Sequence, residues 1–277
     1  MTGSVADINV GACDAPFAAT EQAYDFWSEV HCLAAEQLGF SIQSKIPVTL
    51  LIGNAGAGKS IILRRVRDEL STNYLIGYLD DPSRLGVFPY NTVLTAFGAA
   101  PETQTKDTPV SVLRASFTSA RKDHGLPTLL IDNVSAFKDD DLAGIFNAAG
   151  ITGRMDDLLF KVVICGDVDL PERLQSRFSG LIGPSIRLEN MSSDDTKDYI
   201  LHRLACANYQ SVMFSDEALD IIAKYSDGNP KLINIICQAA LDAFQGSKDE
   251  RIEAALVRKC FLAAGYALRR EREVDQT

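Results

Sequence analysis

The chain has 277 residues, 46% of them apolar and 23% charged, which suits one large domain or two modest ones and excludes a disordered chain. Its net charge of −10 opposes non-specific attachment to nucleic acid or to an anionic membrane, except through a local basic patch. No apolar stretch reaches the ~18 residues of a membrane span, and Met1–Asp7 lacks the basic-then-apolar start of a secretory signal, so a cytoplasmic location is expected.

Residues 1–45 read as a lead-in, with a turn or clamp at Ala15-Pro16-Phe17. Apolar residues at helical spacing (Ala23, Phe26, Trp27, Val30, Leu33, Ala34, Leu38) predict a helix over 20–38. A strand over 48–52 runs through a glycine-rich turn into a helix over 58–70, and a second strand over 74–79 ends in Asp80-Asp81-Pro82. Helices follow over 89–97 and 109–123, then a buried strand over 127–132 and a helix over 139–149 with an acidic first turn. A fourth strand over 160–165, a short helix over 171–179 and a short strand over 185–188 complete this region. Strands alternating with helices imply a parallel sheet covered on both faces, an α/β fold.

After Leu188 the pattern becomes helical only, over 193–208, 215–226, 230–246 and 250–270. Ser192 and Ser215 are N-cap candidates with acidic residues behind them, and Gly228-Asn229-Pro230 breaks the chain between helices. The six cysteines (13, 32, 165, 206, 237, 260) form no C-x-x-C pair and have no histidine at metal-ligand spacing; they read as small buried residues in a reducing compartment.

The most informative stretch is Gly53-Asn54-Ala55-Gly56-Ala57-Gly58-Lys59-Ser60, a complete G-x-x-x-x-G-K-S phosphate-binding loop between a strand and a helix. Gly53 and Gly58 let the backbone turn tightly and approach a ligand, and successive N–H groups from Gly53 to Ile61 then form a concave anion site at a helix N-terminus. Lys59 is placed to reach the β- and γ-phosphates, and the Ser60 hydroxyl to ligate Mg²⁺. The loop recognises a triphosphate tail without choosing the base.

Asp132 ends the apolar strand Leu129-Leu130-Ile131, the Walker B position, where a carboxylate holds Mg²⁺ beside the loop. The next residue is Asn133, where many phosphate-loop ATPases carry Glu. A neutral amide holds a water but cannot take its proton, and a positioned base is worth roughly 10²–10⁴ in rate. The expectation is slow hydrolysis or a base from elsewhere, with Asp80, Asp81 and Asp167 as candidates.

These blocks resemble the AAA+ ATPases of the general secretion pathway A type and, less closely, the ATPase regulators of bacterial transposition. The resemblance runs from about Pro16 to Gln245. It rests on Pro16-Phe17, the loop 53–60, Leu129–Asp132, Val163-Ile164-Cys165-Gly166-Asp167-Val168-Asp169-Leu170 and Arg173–Phe178. Asp198–Leu204, Phe214–Leu219 and Gly228-Asn229-Pro230-Lys231-Leu232-Ile233-Asn234 extend it. It implies a five-stranded αβα nucleotide-binding domain (46–190) with a C-terminal helical lid (191–277), ATP rather than GTP, and assembly into a homo-oligomer. By position, Asp167 falls at sensor 1, Arg177 at an arginine that reaches a neighbour's γ-phosphate, and Lys231 at the sensor-2 arginine. Each has a plainer reading: a helix cap for Asp167, a surface ion pair for Arg177, a solvated helix start for Lys231. The flank of Pro16-Phe17 is a candidate adenine contact, whereas His202 and Arg203 read as structural.

Two substitutions depart from the pattern, Asn133 for Glu and Lys231 for Arg. The chain also ends without the family's membrane span and wall-binding domain, so no secretion role is expected. The function implied is an ATPase that couples nucleotide binding and hydrolysis to conformational change or assembly with a protein client. The alternatives are an ATP-loaded switch that does not hydrolyse, or a transposition-type regulator, which the acidic charge and the lack of a basic arm disfavour. A nucleoside kinase using the same loop is a weaker alternative.

Overall fold

Val48–Gly53 is aliphatic or β-branched throughout but for its glycine, and a run of that kind is stable as a strand only when covered on both faces. It forms β1, every residue of it buried. The computed structural model describes residues 16–17, 26–80, 89–98, 115, 117, 125–151, 158–207, 213–245 and 251–263. Around β1 are arranged β2 (Ile76–Leu79), β3 (Thr128–Ile131), β4 (Lys161–Gly166) and β5 (Ser185–Leu188), in the order β2-β3-β4-β1-β5. All four pairings are parallel. The register sets Ile52 beside Gly166, Ile131 beside Ile164 and Leu79 beside Ile131. The residues that follow β1, β2, β3 and β4 therefore leave the sheet at one edge, the carboxyl edge where parallel sheets bind ligands.

The helices of this unit are α1 (Glu29–Gln43), α2 (Lys59–Leu70), α3 (Pro89–Ala96), α4 (Asp139–Ala149) and α5 (Leu170–Phe178). The expected helix over 20–38 is displaced. Phe26, Trp27 and Ser28 are not helical, and α1 starts at Glu29 and runs through Gly39. Residues 20–25 lie outside the described ones, as does most of the helix expected over 109–123, of which residues 115 and 117 are helical. The carbonyls that end α1 would be orphaned, and the buried Lys161 ammonium at the start of β4 donates to those of Ile42 and Ser44. Phe97, Phe117 and Phe160 pack edge to face in the core against the sheet.

The chain divides into two compact units, Val30–Glu189 around the sheet, and Met1–Glu29 with Asn190–Thr277. In the second lie α6 (Ser193–Cys206), α7 (Asp216–Ser226), α8 (Pro230–Ala243) and α9 (254–263). The Ser192 hydroxyl accepts from the amide of Asp195, and that of Ser215 from the amide of Ala218, as N-caps. Asn229 caps α8 through the amides of Lys231 and Leu232. Gly228 has φ 69°, and a Cβ there would fall 1.9 Å from the Met191 carbonyl oxygen, so no other residue fits. Phe17 is buried and packs edge to face on Phe214, while the buried Arg203 guanidinium donates to the Pro16 carbonyl at 2.7 Å. Arg203 thus has the structural role its mid-helix place implied, and Phe17 is a core residue of the helical unit.

Candidate functional site

The loop is shaped by glycines under specific constraint. A Cβ at Gly53 would stand 2.8 Å from the Leu188 carbonyl oxygen on β5, so the strand end approaches its neighbour too closely for any side chain. Gly56 (φ 80°) and Gly58 (φ 102°) turn the chain through left-handed backbone. The Ala57 amide closes the turn on Asn54 O at 3.1 Å, and Ala57 itself is buried. Its carbonyl accepts from His31 Nε2 at 2.9 Å, so α1 supports the loop from beneath. The same imidazole would meet a Cβ on Gly58 at 2.6 Å. Gly58 brings no capping side chain to α2, which leaves the first amides of that helix for an external anion.

The Lys59 ammonium has three N–H groups, directed at Gly53 O (2.7 Å), Asn54 O (2.9 Å) and Asp167 Oδ1 (3.1 Å). The lysine side chain is 11% exposed and the aspartate 51%, so the pair spans the boundary between loop and solvent.

Asp132 is buried directly after β3. Its Oδ2 accepts from the Tyr78 hydroxyl at 2.7 Å and its Oδ1 from the Asn133 amide at 2.9 Å. Burial, then the hydrogen bond and charge of Asp132, push the Tyr78 phenol well above its ordinary pKa, so it stays a donor. Burial and the same carboxylate push up the Cys165 thiol on β4. Asn133 is exposed and left-handed (φ 50°, ψ 54°), and its Oδ1 accepts from Ser135 Oγ at 2.8 Å. Arg173 on α5 grips this turn from the far side, with bonds to Phe137 O (2.7 Å) and Asp139 Oδ1 (2.8 Å).

These donors fit a magnesium ion held sparingly. Among the described residues no cluster of three or more His, Cys, Asp or Glu forms a metal cage. Mg²⁺ at nucleotide sites does not need one: it takes one or two protein oxygens, and waters and phosphates supply the rest. Asp132 keeps further lone pairs beyond its bonds, and Ser60 is half-buried in the first turn of α2.

The fold thus gathers the loop residues, Lys59, Asp132, Asn133 and Asp167 at one sheet edge. Asp80 follows β2 at that edge and is exposed, while Asp81 lies outside the described residues. Arg177, in the last turn of α5, is paired with Asp140 Oδ1 at 2.7 Å. Lys231 stands exposed in the first turn of α8, in the helical unit. Sequence reasoning missed His31, Tyr78 and Arg173. The only signal for Tyr78 was a polar aromatic one place before the end of a predicted strand.

Residues 43–174 match the family described as AAA domain. That stretch holds the phosphate loop, Asp132 and Asp167, and is similar to AAA domains. General secretion pathway protein A of Aeromonas hydrophila is a distant relative, 27% identical over 245 residues, covering 84% of this chain and 44% of its own length. The chain therefore spans less than half of that relative. Two solved structures share the AAA+ fold. Cdc6p of Pyrobaculum aerophilum is 17% identical, with TM-score 0.63, over 90% of this chain and 70% of its own. The ORC2 protein of Aeropyrum pernix, in ADPNP and ADP complexes, is 14% identical, with TM-score 0.62 over the same shares. The parallel sheet, flanked by helices and followed by a helical region, is the architecture expected from the sequence. No helix among the described residues is long and apolar enough to cross a membrane.

Proposed function

We propose that the protein binds Mg-ATP on residues 53–61, hydrolyses it slowly, and uses the change from triphosphate to diphosphate to drive rearrangement or assembly with a protein client. The observation that carries this reading is Lys59: its ammonium rests on two loop carbonyls and Asp167, at the sheet edge where Asp132 also emerges. Phosphate oxygens replace those carbonyls as acceptors, and the amides of the loop and of the first turn of α2 bind the anion. Ser60 and Asp132 would hold Mg²⁺, which supplies positive charge against the phosphates. Tyr78 and the Asn133 amide fix the Asp132 carboxylate for that task. Arg177 and Lys231 take the neighbour-sensing and lid-sensing roles that the family likeness assigns by position. The adenine-nucleotide complexes of the ORC2 protein support ATP over GTP.

Calorimetry with Mg-ATP and Mg-GTP tests binding, and phosphate release with native protein and Lys59→Ala tests hydrolysis. Sizing with ATP and without nucleotide tests assembly. A second reading, an ATP-loaded switch without turnover, is favoured by Asn133, whose amide cannot accept a proton. Binding and assembly without phosphate release would select it.

A further inference from the structure

This inference rests on the hydrolytic reading above. We propose that Asp167 is the general base that takes the proton of the attacking water, in place of the residue after Asp132. Asn133 is neutral, and its side-chain oxygen already accepts from Ser135. Asp132 is buried, with one oxygen held by Tyr78 and the other by the Asn133 amide. Asp167 differs from both. It follows β4, the strand that pairs with β1, and its Oδ1 lies 3.1 Å from the Lys59 ammonium. Its side chain is half-exposed, and Oδ2 has no partner among the described residues.

An ionised carboxylate accepts hydrogen bonds and cannot donate one to a γ-phosphate, so Asp167 is unsuited to act as a polar sensor of that group. A phosphate oxygen on the same ammonium, at an ordinary ~2.8 Å, lies within about 6 Å of Oδ1, the span that a single water bridges. In the step, water transfers a proton to Asp167 as its oxygen bonds to the γ-phosphorus. The bond from that phosphorus to the β,γ-bridging oxygen breaks, and ADP departs with the electron pair. Inorganic phosphate forms, and the half-exposed carboxyl returns its proton to solvent.

The test compares native protein, Asp167→Asn, Asn133→Glu and the double variant, in phosphate release and in calorimetric affinity for Mg-ATP. Removing the base lowers turnover by on the order of 10²–10⁴ in Asp167→Asn. Affinity is unchanged or tighter by a fewfold, because a negative charge beside the phosphates is gone. Adding Asn133→Glu to Asp167→Asn restores at least about tenfold, because the base now stands on the adjacent strand end. Asn133→Asp, which tolerates left-handed backbone better, is the second rescue variant if the glutamate lowers the melting temperature. Turnover in Asp167→Asn within about threefold of native overturns the proposal. So does a parallel loss of turnover and affinity, which would mean that Asp167 only positions Lys59. Native protein that binds ATP without releasing phosphate overturns this proposal together with the hydrolytic reading and leaves ATP binding standing; native protein that releases phosphate, with Asp167→Asn unimpaired, overturns this proposal alone.

Discussion

The turns after β1 and β3 leave the same sheet edge through left-handed backbone, but they do it with different residues. After β1 the left-handed positions are Gly56 and Gly58; after β3 the position is Asn133. Glycine adopts that geometry without penalty and presents bare amides, which is what an anion site needs. Asparagine is one of the few residues with a Cβ that adopts it readily, and it presents a neutral amide. A glutamate at 133 would change the chemistry and strain the chain at once. The two turns show one backbone constraint serving phosphate binding in one place and disfavouring a glutamate in the other.

The comparison breaks most completely at Lys59. Lys59→Ala removes the charge that the glycine loop is built around, and Mg-ATP affinity falls by about 100-fold in calorimetry while far-ultraviolet circular dichroism is unchanged. Gly58→Ala places a methyl against His31 at left-handed backbone, and stability falls by about 1–3 kcal/mol in urea melts. Tyr78→Phe leaves Asp132 short of one donor, and the Mg²⁺ needed for half-maximal turnover rises by about tenfold, with little change in nucleotide binding without Mg²⁺. The smallest effects are at Asn133. Asn133→Gly stays within about 0.5 kcal/mol of native, whereas Asn133→Ala loses about 1 kcal/mol to the left-handed backbone. Equal stability of those two variants would refute the backbone half of the comparison.

Much of this was legible in the sequence, because it depends on local chemistry. The loop 53–60, the strand ending at Asp132 and the caps at Ser192 and Ser215 are each written within a few residues, and the structure forms them there. What was not legible depends on contacts between distant segments. His31 reaches Ala57 across 26 positions, Tyr78 reaches Asp132 across 54, and Arg173 reaches Asp139 across 34. No pattern within one segment encodes such pairs. The start of α1 was misread for a related reason. Phe26 fits helical spacing, but its ring packs on Tyr199 and His202, so a tertiary contact accounts for an apolar residue that looked like part of a helix face.

Phe17 and Arg203 have a practical consequence for anyone dividing this chain. A fragment starting at 190 would look like a self-contained helical module, yet it would lack the ring that seats on Phe214 and the carbonyl that satisfies a buried guanidinium. Such a fragment should be poorly soluble on its own and should improve when a peptide carrying Pro16-Phe17 is supplied or fused, since the module is assembled from both ends of the polypeptide.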